Sequence, residues 1–136
     1  MTPFLVTLGI GCDRGTAQAT IQEAVDLALA QAGVLAGQVK AVASITLKAD
    51  EQGLLDLAAA HGWPLQFFPP EALAAVPVPN PSETVRRHTG TPSVSEAAAL
   101  LAAGPHTPMT ALVLEKLRHR GNDGRHATVS IARKTP

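Results

Sequence analysis

The sequence predicts a single α/β domain over residues 1–136, with a layered mixed sheet and helices on both of its faces. Short apolar runs alternate with runs of helical periodicity as far as residue 68, which is typical of parallel βαβ units. Near the C-terminus, two β-rich runs flank a turn bounded by glycines at 121–124, which predicts an antiparallel hairpin. The predicted order of elements is β-α-β-α-β-α-α-β-β.

In the N-terminal half, apolar β-branched runs predict the strands and glycines mark the helix ends. The predicted strands are residues 4–10, 39–47 and 64–68. The first helix has apolar residues at helical spacing and is expected to end at Gly33 as its C′ residue. Asp50 is expected to cap the second helix, which runs through His61 and stops at Gly62.

Prolines dominate the middle of the chain. Pro70 suits the first position of a short helix. The run from 76 to 85 is expected to be extended, because each proline biases the preceding residue away from the α region. Asn80, followed by Pro81 and Glu83, matches an N-cap signature.

The next helix has the most definite boundaries. Ser93 and Glu96 match the S-x-x-E capping box, and Gly104 is expected to stop the helix. The β-rich runs of residues 110–134 then form the predicted hairpin.

Charge is balanced over the chain but not along it. Residues 1–85 have a balance of −5 and residues 86–136 a balance of +5, so the net charge is zero and nucleic acid is not an expected partner. The basic half is expected either to meet an anionic ligand or to pair with the acidic half. The stretches RRH at 86–88 and KLRHR at 116–120 are interpreted as solvated surface.

The single cysteine fits a reducing compartment. No signal peptide is recognised, and the longest alanine-leucine stretch, 97–103, is too short to span a bilayer. A cytoplasmic protein without a membrane partner is expected.

Residues 8–20, LGIGCDRGTAQAT, contain the most unusual local pattern. A glycine-rich turn that opens a helix has free N–H groups and could bind an anion. Gly9, Gly11 and Gly15 nevertheless do not match the dinucleotide fingerprint, because Arg14 stands where a third glycine is required. A P-loop is excluded because the sequence Arg-Gly-Thr lacks Gly-Lys-Ser/Thr.

The candidate chemical groups have alternative interpretations. Cys12 could be a nucleophile at a helix start or a small packed thiol, and Arg14 could clamp a carboxylate or lie on the surface. The five histidines have no metal-ligand spacing with one another or with Cys12. No metal and no cofactor are therefore expected.

Several stretches together resemble one family. They are GIGCDRGT, SITLKADEQGLLDLAAAHGWPLQFF, VPNPSETV, GTPSVSEAAALLAAG and GRHATVSIARK. In this order they resemble the CobE proteins of aerobic cobalamin biosynthesis. They also resemble the C-terminal domain of CbiG, the cobalt-precorrin-5A hydrolase of the anaerobic route. The absence of the CbiG N-terminal region suggests the stand-alone CobE form. Relatives usually have a basic residue where Asp13 stands and often an acidic one where Thr46 stands.

The resemblance implies a precorrin or corrin intermediate as ligand, a large ring with many carboxylates. Helix starts and scattered Arg and Lys are expected to bind those carboxylates beyond the carboxyl ends of the strands. The predicted ligand-binding residues are Gly9, Gly11, Cys12, Arg14, Gly15, Thr16, Lys48, Thr91 and Ser93.

Three roles are compatible with this resemblance. The first is a protein that binds or hands over the intermediate, beside other enzymes of the pathway. The second is an enzyme of lactone hydrolysis or ring contraction, for which Cys12 and Glu51 are the weak catalytic candidates. The third is a structural subunit of a biosynthetic complex.

Overall fold

The structure, a computed structural model, describes residues 4–134. Its strands are β1 (Val6–Cys12), β2 (Val39–Ile45), β3 (Leu65–Phe68), β4 (Leu112–Arg120) and β5 (His126–Arg133). Its helices are α1 (Gln18–Ala32), α2 (Gln52–His61), α3 (Pro70–Ala74), α4 (Glu83–Thr89) and α5 (Val94–Ala103).

The five strands form one mixed sheet in the order β3-β2-β1-β5-β4. Strands β1, β2 and β3 are parallel, whereas β5 is antiparallel to both β1 and β4. The predicted fold class is therefore confirmed, including the parallel N-terminal units and the C-terminal hairpin. The last strand of the hairpin lies beside β1 in the interior of the sheet.

Helices cover both faces, as predicted. Val6, Leu8 and Ile10 alternate along β1 and point into the core beneath α1 and α2, where they are fully buried. On the opposite face, α5 packs across β1, β2 and β5.

Gly9 permits the close approach of α5 to β1. A Cβ atom at Gly9 would lie 1.8 Å from the carbonyl oxygen of Ser95 and 2.6 Å from the amide nitrogen of Ala99. Two residues earlier, the Thr7 hydroxyl donates a hydrogen bond to the Ala99 carbonyl at 2.7 Å. A side chain at Gly9 would therefore force the helix away from the sheet.

Two predicted strand boundaries are wrong. Strand β1 continues to Cys12, so Gly9 and Gly11 belong to the strand, and only Gly15 lies in the following turn, with a φ of 79°. Strand β2 ends at Ile45, because residues 46–48 form a 3₁₀ turn. In both places the apolar pattern did not mark where the ladder of hydrogen bonds stops.

Two predicted N-cap residues, Asp50 and Asn80, are also wrong, although a helix begins close to each of them. Helix α2 has Glu51 at its N-cap position, and Asp50 binds Arg14 instead. Helix α4, which was absent from the predicted order, is capped by Ser82, whose hydroxyl accepts from the Val85 amide. Asn80 therefore does not cap it.

The capping box of α5 does not form. Ser93 holds the N-cap position, but its hydroxyl donates to the Glu96 carboxylate at 2.8 Å instead of accepting from the helix. The predicted stops at Gly33, Gly62 and Gly104 are confirmed, as is Pro70 at the start of α3.

Candidate functional site

A hollow of about 620 Å³ lies at the carboxyl end of β1, on the α5 face of the sheet. Since β4 is parallel to β1, both strands end at this edge, and β5 begins there. Helix α4 and the start of α5 form the facing wall. We call it the basic hollow. Its charged and titratable lining residues include Asp13, Arg14, Lys48, Lys116, Arg118, His88 and His126.

The charge of the basic hollow favours an anion. Four lysine and arginine side chains line it, two from each half of the sequence, whereas Asp13 is the one carboxylate among its lining residues within 4–134. The fold thus places part of the basic C-terminal half around an open space.

Four of the predicted ligand-binding residues line this space together. Gly11, Cys12, Arg14 and Lys48 come from the end of β1 and the turn after β2. The other five do not line it: Gly9, Gly15, Thr16, Thr91 and Ser93. Of these, all but Gly15 are buried by packing.

The N–H groups before α1 have acceptors within the protein. The Gly15 amide donates to Glu51 Oε1 at 2.8 Å, and the Ala17 amide donates to Asp123 Oδ2 at 3.0 Å. The amides of Asp13 and Thr16 donate to backbone carbonyls. Two of the amides at this helix start, which was predicted to be free, are therefore bound by the protein's own carboxylates.

Arg14 is also engaged. Its Nη1 atom lies 2.6 Å from Asp50 Oδ1 and 2.7 Å from Glu51 Oε2, and Nη2 donates to the Leu47 carbonyl at 2.6 Å. Asp50 is exposed, so a ligand carboxylate could replace it on the guanidinium, whereas Glu51 is buried. Glu51 holds the turn together and does not line the basic hollow.

Cys12 lines the basic hollow but is not an activated thiol. Burial raises the pKa of Cys12 to about 11, although Lys48 nearby opposes this effect. The group is therefore protonated at neutral pH, whereas nucleophilic catalysis requires the thiolate. Its environment agrees with the packed-thiol interpretation.

Sequence reasoning missed His88, Lys116, Arg118 and His126, which line the basic hollow. In β4, Lys116 and Arg118 are two residues apart. The register pairs Arg118 with Thr128, which lies two residues after His126 in β5. Alternation along the predicted hairpin was the available signal, but the basic stretch had been interpreted as surface.

The wall formed by α4 is anchored by Asn80. Its Nδ2 atom donates to Glu96 at 2.6 Å and to Glu115 at 2.9 Å, and its backbone amide donates to Glu96 at 3.3 Å. Glu96 is fully buried in the first turn of α5. We call these contacts the Asn80 clasp. They connect the proline-rich segment before α4 to helix α5 and to the edge strand β4.

Two kinds of site are absent from residues 4–134. No group of three or more His, Cys, Asp or Glu residues there could hold a metal ion. No helix in the same range is long and apolar enough to cross a membrane.

Curated relatives share the sequence over most of this chain. It is 39% identical over 130 residues to a cobalt-precorrin-5A hydrolase of Priestia megaterium, with 96% of this chain and 32% of the hydrolase covered. The chain thus spans about a third of that relative's length. It is 34% identical over 129 residues to protein CobE of Sinorhizobium sp., covering 93% of this chain and 79% of CobE.

Solved structures agree with these relatives. The crystal structure of CobE, a protein from the cobalamin biosynthetic pathway, superposes with a TM-score of 0.75 at 31% identity, covering 97% of this chain and 92% of CobE. The cobalamin biosynthesis protein chiG from Agrobacterium tumefaciens superposes with a TM-score of 0.70 at 36% identity, covering 97% of this chain and 100% of chiG.

The family model described as cobalamin synthesis G C-terminus matches residues 6–132, which include every strand but for the last residue of β5. Relatives and structures from the same pathway match nearly the whole chain. The chain belongs to the CbiG C-terminal family and is a cobalamin biosynthesis protein of the CobE and CbiG C-terminal type.

Proposed function

We propose that this protein binds a polycarboxylated precorrin or corrin intermediate in the basic hollow and holds it for, or hands it to, another enzyme of the pathway. The observation that supports this most is the set of Arg14, Lys48, Lys116 and Arg118 around one open space. Charge-assisted hydrogen bonds from such side chains suit carboxylates.

The size of the basic hollow is compatible with one side of such a ligand. Its volume of about 620 Å³ lies within the range of roughly 300–1,000 Å³ that is typical of small-molecule sites. Ile45, Val85 and Val94 supply apolar lining beside the cations. A ring with carboxylates on its rim would place its charged groups against the cations and its face against these side chains.

The proposal is tested by calorimetric titration with cobyrinic acid, a corrin polycarboxylate, and with its fully methylated ester. We expect the acid to bind with a Kd in the micromolar range or tighter, and its affinity to fall as the salt concentration is raised. The ester should not bind. Trp63 stacks on His61 with ring centroids 4.0 Å apart and does not line the basic hollow, so its fluorescence is not the reporter to use.

Lys116→Gln and Arg118→Gln should each weaken binding of the acid about tenfold, because each removes a charge-assisted hydrogen bond of ~1.5 kcal/mol. Lys40→Gln is the matched control, since Lys40 is exposed and lies outside the basic hollow. Equal affinity of acid and ester, or equal loss in all three variants, would reject the proposal.

Hydrolysis is the second candidate, because the relative from Priestia megaterium is called a hydrolase. Neither earlier catalytic candidate favours it: the Cys12 thiol is protonated at neutral pH, and Glu51 is bound to Gly15 and Arg14. Mass spectrometry after incubation with a lactone-bearing intermediate distinguishes the two. An added water in the product supports hydrolysis, whereas an unchanged ligand supports binding.

A further inference from the structure

The basic hollow also contains a histidine whose ring is fixed by a carboxylate. His126 begins β5, and Asp13 follows the end of β1, so the antiparallel pairing of these strands brings the two residues together. Asp13 Oδ2 accepts the backbone N–H of His126 at 2.7 Å and lies 3.1 Å from the ring atom Nδ1. The main chain and the side chain of His126 are thus held by one carboxylate oxygen.

This contact determines which ring nitrogen faces a ligand. A carboxylate can only accept, so Nδ1 carries a proton and points towards Asp13. The other ring nitrogen, Nε2, makes no hydrogen bond within residues 4–134. The side chain is 32% exposed and lines the basic hollow, so Nε2 is available to a molecule bound there.

Charges of both signs surround the ring. On the β1 side, burial raises the pKa of Asp13, but its interactions with His126 and Arg118 together lower it below the ordinary value, so Asp13 faces the ring as a carboxylate. On β4, Arg118 lies near Asp13, and Arg120 is the cross-strand neighbour of His126. The same hollow is also lined by Arg14, Lys48, Lys116, Cys12 and His88.

We propose that Asp13 and His126 form a carboxylate-binding site within the basic hollow, in which the doubly protonated His126 ring donates its Nε2–H to a carboxylate of the ligand. This inference rests on the proposed function and adds to it a specific recognition group. Because Asp13 holds the Nδ1 proton, the second proton sits on Nε2 and is shared with the ligand. Binding of a carboxylate to the neutral ring therefore takes up a proton, and the site distinguishes a free carboxylate from the corresponding amide.

The test is calorimetric titration of the full chain with cobyrinic acid at several pH values, in buffers with different ionisation enthalpies. We expect proton uptake on binding and an affinity that falls about tenfold from pH 6 to pH 8, the range in which histidines titrate. In His126→Gln, the affinity at pH 6 should fall about tenfold and both the proton uptake and the pH dependence should disappear. His61→Gln is the matched control and should retain the proton uptake, since His61 is exposed and does not line the basic hollow.

A second measurement is independent of ligand and of variant folding. Long-range proton–nitrogen NMR spectra of the wild-type protein at high pH should show the neutral His126 ring with its proton on Nδ1. A proton on Nε2 in the neutral ring, or proton uptake that persists in His126→Gln, would overturn the inference. If cobyrinic acid does not bind at any pH, the proposed function fails and this inference with it. If it binds without proton uptake, only this inference fails.

Discussion

Gly9 and Gly11 stand two residues apart in β1 and face the same helix, yet only one of them lacks room for a side chain. A Cβ at Gly9 would meet backbone atoms of α5 at 1.8 and 2.6 Å. At Gly11 the nearest atom would be Val94 Cβ at 3.8 Å, which is ordinary contact. Gly9 is thus a packing residue, whereas Gly11 lies at the basic hollow.

We expect Gly9→Ala to lower the free energy of unfolding by about 3 kcal/mol or more, because α5 must shift as a unit to admit the methyl group. Gly11→Ala is the matched control and should change it by less than about 1 kcal/mol. Urea denaturation followed by circular dichroism measures both. Similar midpoints for the two variants would contradict the close approach of α5 to the sheet.

Sequence reasoning identified the importance of these glycines but not the reason for it. The spacing of Gly9, Gly11 and Gly15 marked a special segment, and Gly15 does occupy a left-handed turn. Which helix would lie on Gly9 depends on the packing of α5, more than eighty positions later, and no local pattern contains that information.

Local sequence rules predicted where several helices end, but they did not predict the side-chain hydrogen bonds that hold the helices in place. Gly33 and Gly62 end their helices as predicted. Asp50 and Asn80 have the composition of caps, but Arg14, Glu96 and Glu115 bind their side chains across the fold. A side chain that binds a stronger partner elsewhere in the fold does not cap its own helix, and sequence spacing cannot reveal that partner.

The Asn80 clasp should determine how firmly α4 lies over the basic hollow. In Asn80→Ala, the buried Glu96 loses the side-chain donor at 2.6 Å. We expect a loss of roughly 1–3 kcal/mol in unfolding free energy and faster proteolysis within residues 76–90, because a buried acceptor loses a partner.

Asn122→Ala is the control for the clasp, since Asn122 is an exposed residue of the hairpin turn. It should leave both the denaturation midpoint and the cleavage pattern as they are in the wild type. If Asn80→Ala behaves like this control, α4 is held by its apolar contacts and not by the clasp.

At the scale of the whole molecule, the acidic and basic halves of the sequence meet in two ways. Some charges pair internally, as Arg86 Nε does with Glu83 at 3.5 Å. Others, such as Lys116 and Arg118, remain around the basic hollow. Internal pairing, one of the two alternatives drawn from the charge distribution, therefore occurs, and binding of an anion by the remaining cations stays a prediction.

Carboxylates that fasten distant segments should make the fold sensitive to acid. The Ala17 amide foremost lowers the pKa of Asp123, and Arg14 lowers the pKa of Asp50, both below the ordinary value of 3.8. The pKa values of these two carboxyl groups are lower in the folded protein than in the unfolded chain. The stability that they contribute is therefore fully present above about pH 4 and is lost as the pH falls through the folded-state values. Denaturant midpoints should therefore decrease from pH 5 to pH 3.

Asp123→Asn should reduce both the midpoint at neutral pH and its decrease on acidification, because the neutral amide lacks the charge that the Ala17 and Arg125 amides bind. Asp26→Asn, at an exposed position of α1, should keep the wild-type decrease. An unchanged acid response in Asp123→Asn would show that this carboxylate does not fasten the hairpin to the first helix.

The position of β5 has a consequence for synthesis of the chain. β1 is made first but lies between β2 and β5, and β5 ends at Arg133. Until the ribosome has added residues 123–133, β1 has an open edge, and α1 lacks the carboxylate supplied by Asp123. Such long-range pairing slows folding and exposes unpaired strand edges. This sheet therefore stays incomplete until β5 has been made, and chaperones have that interval in which to engage it.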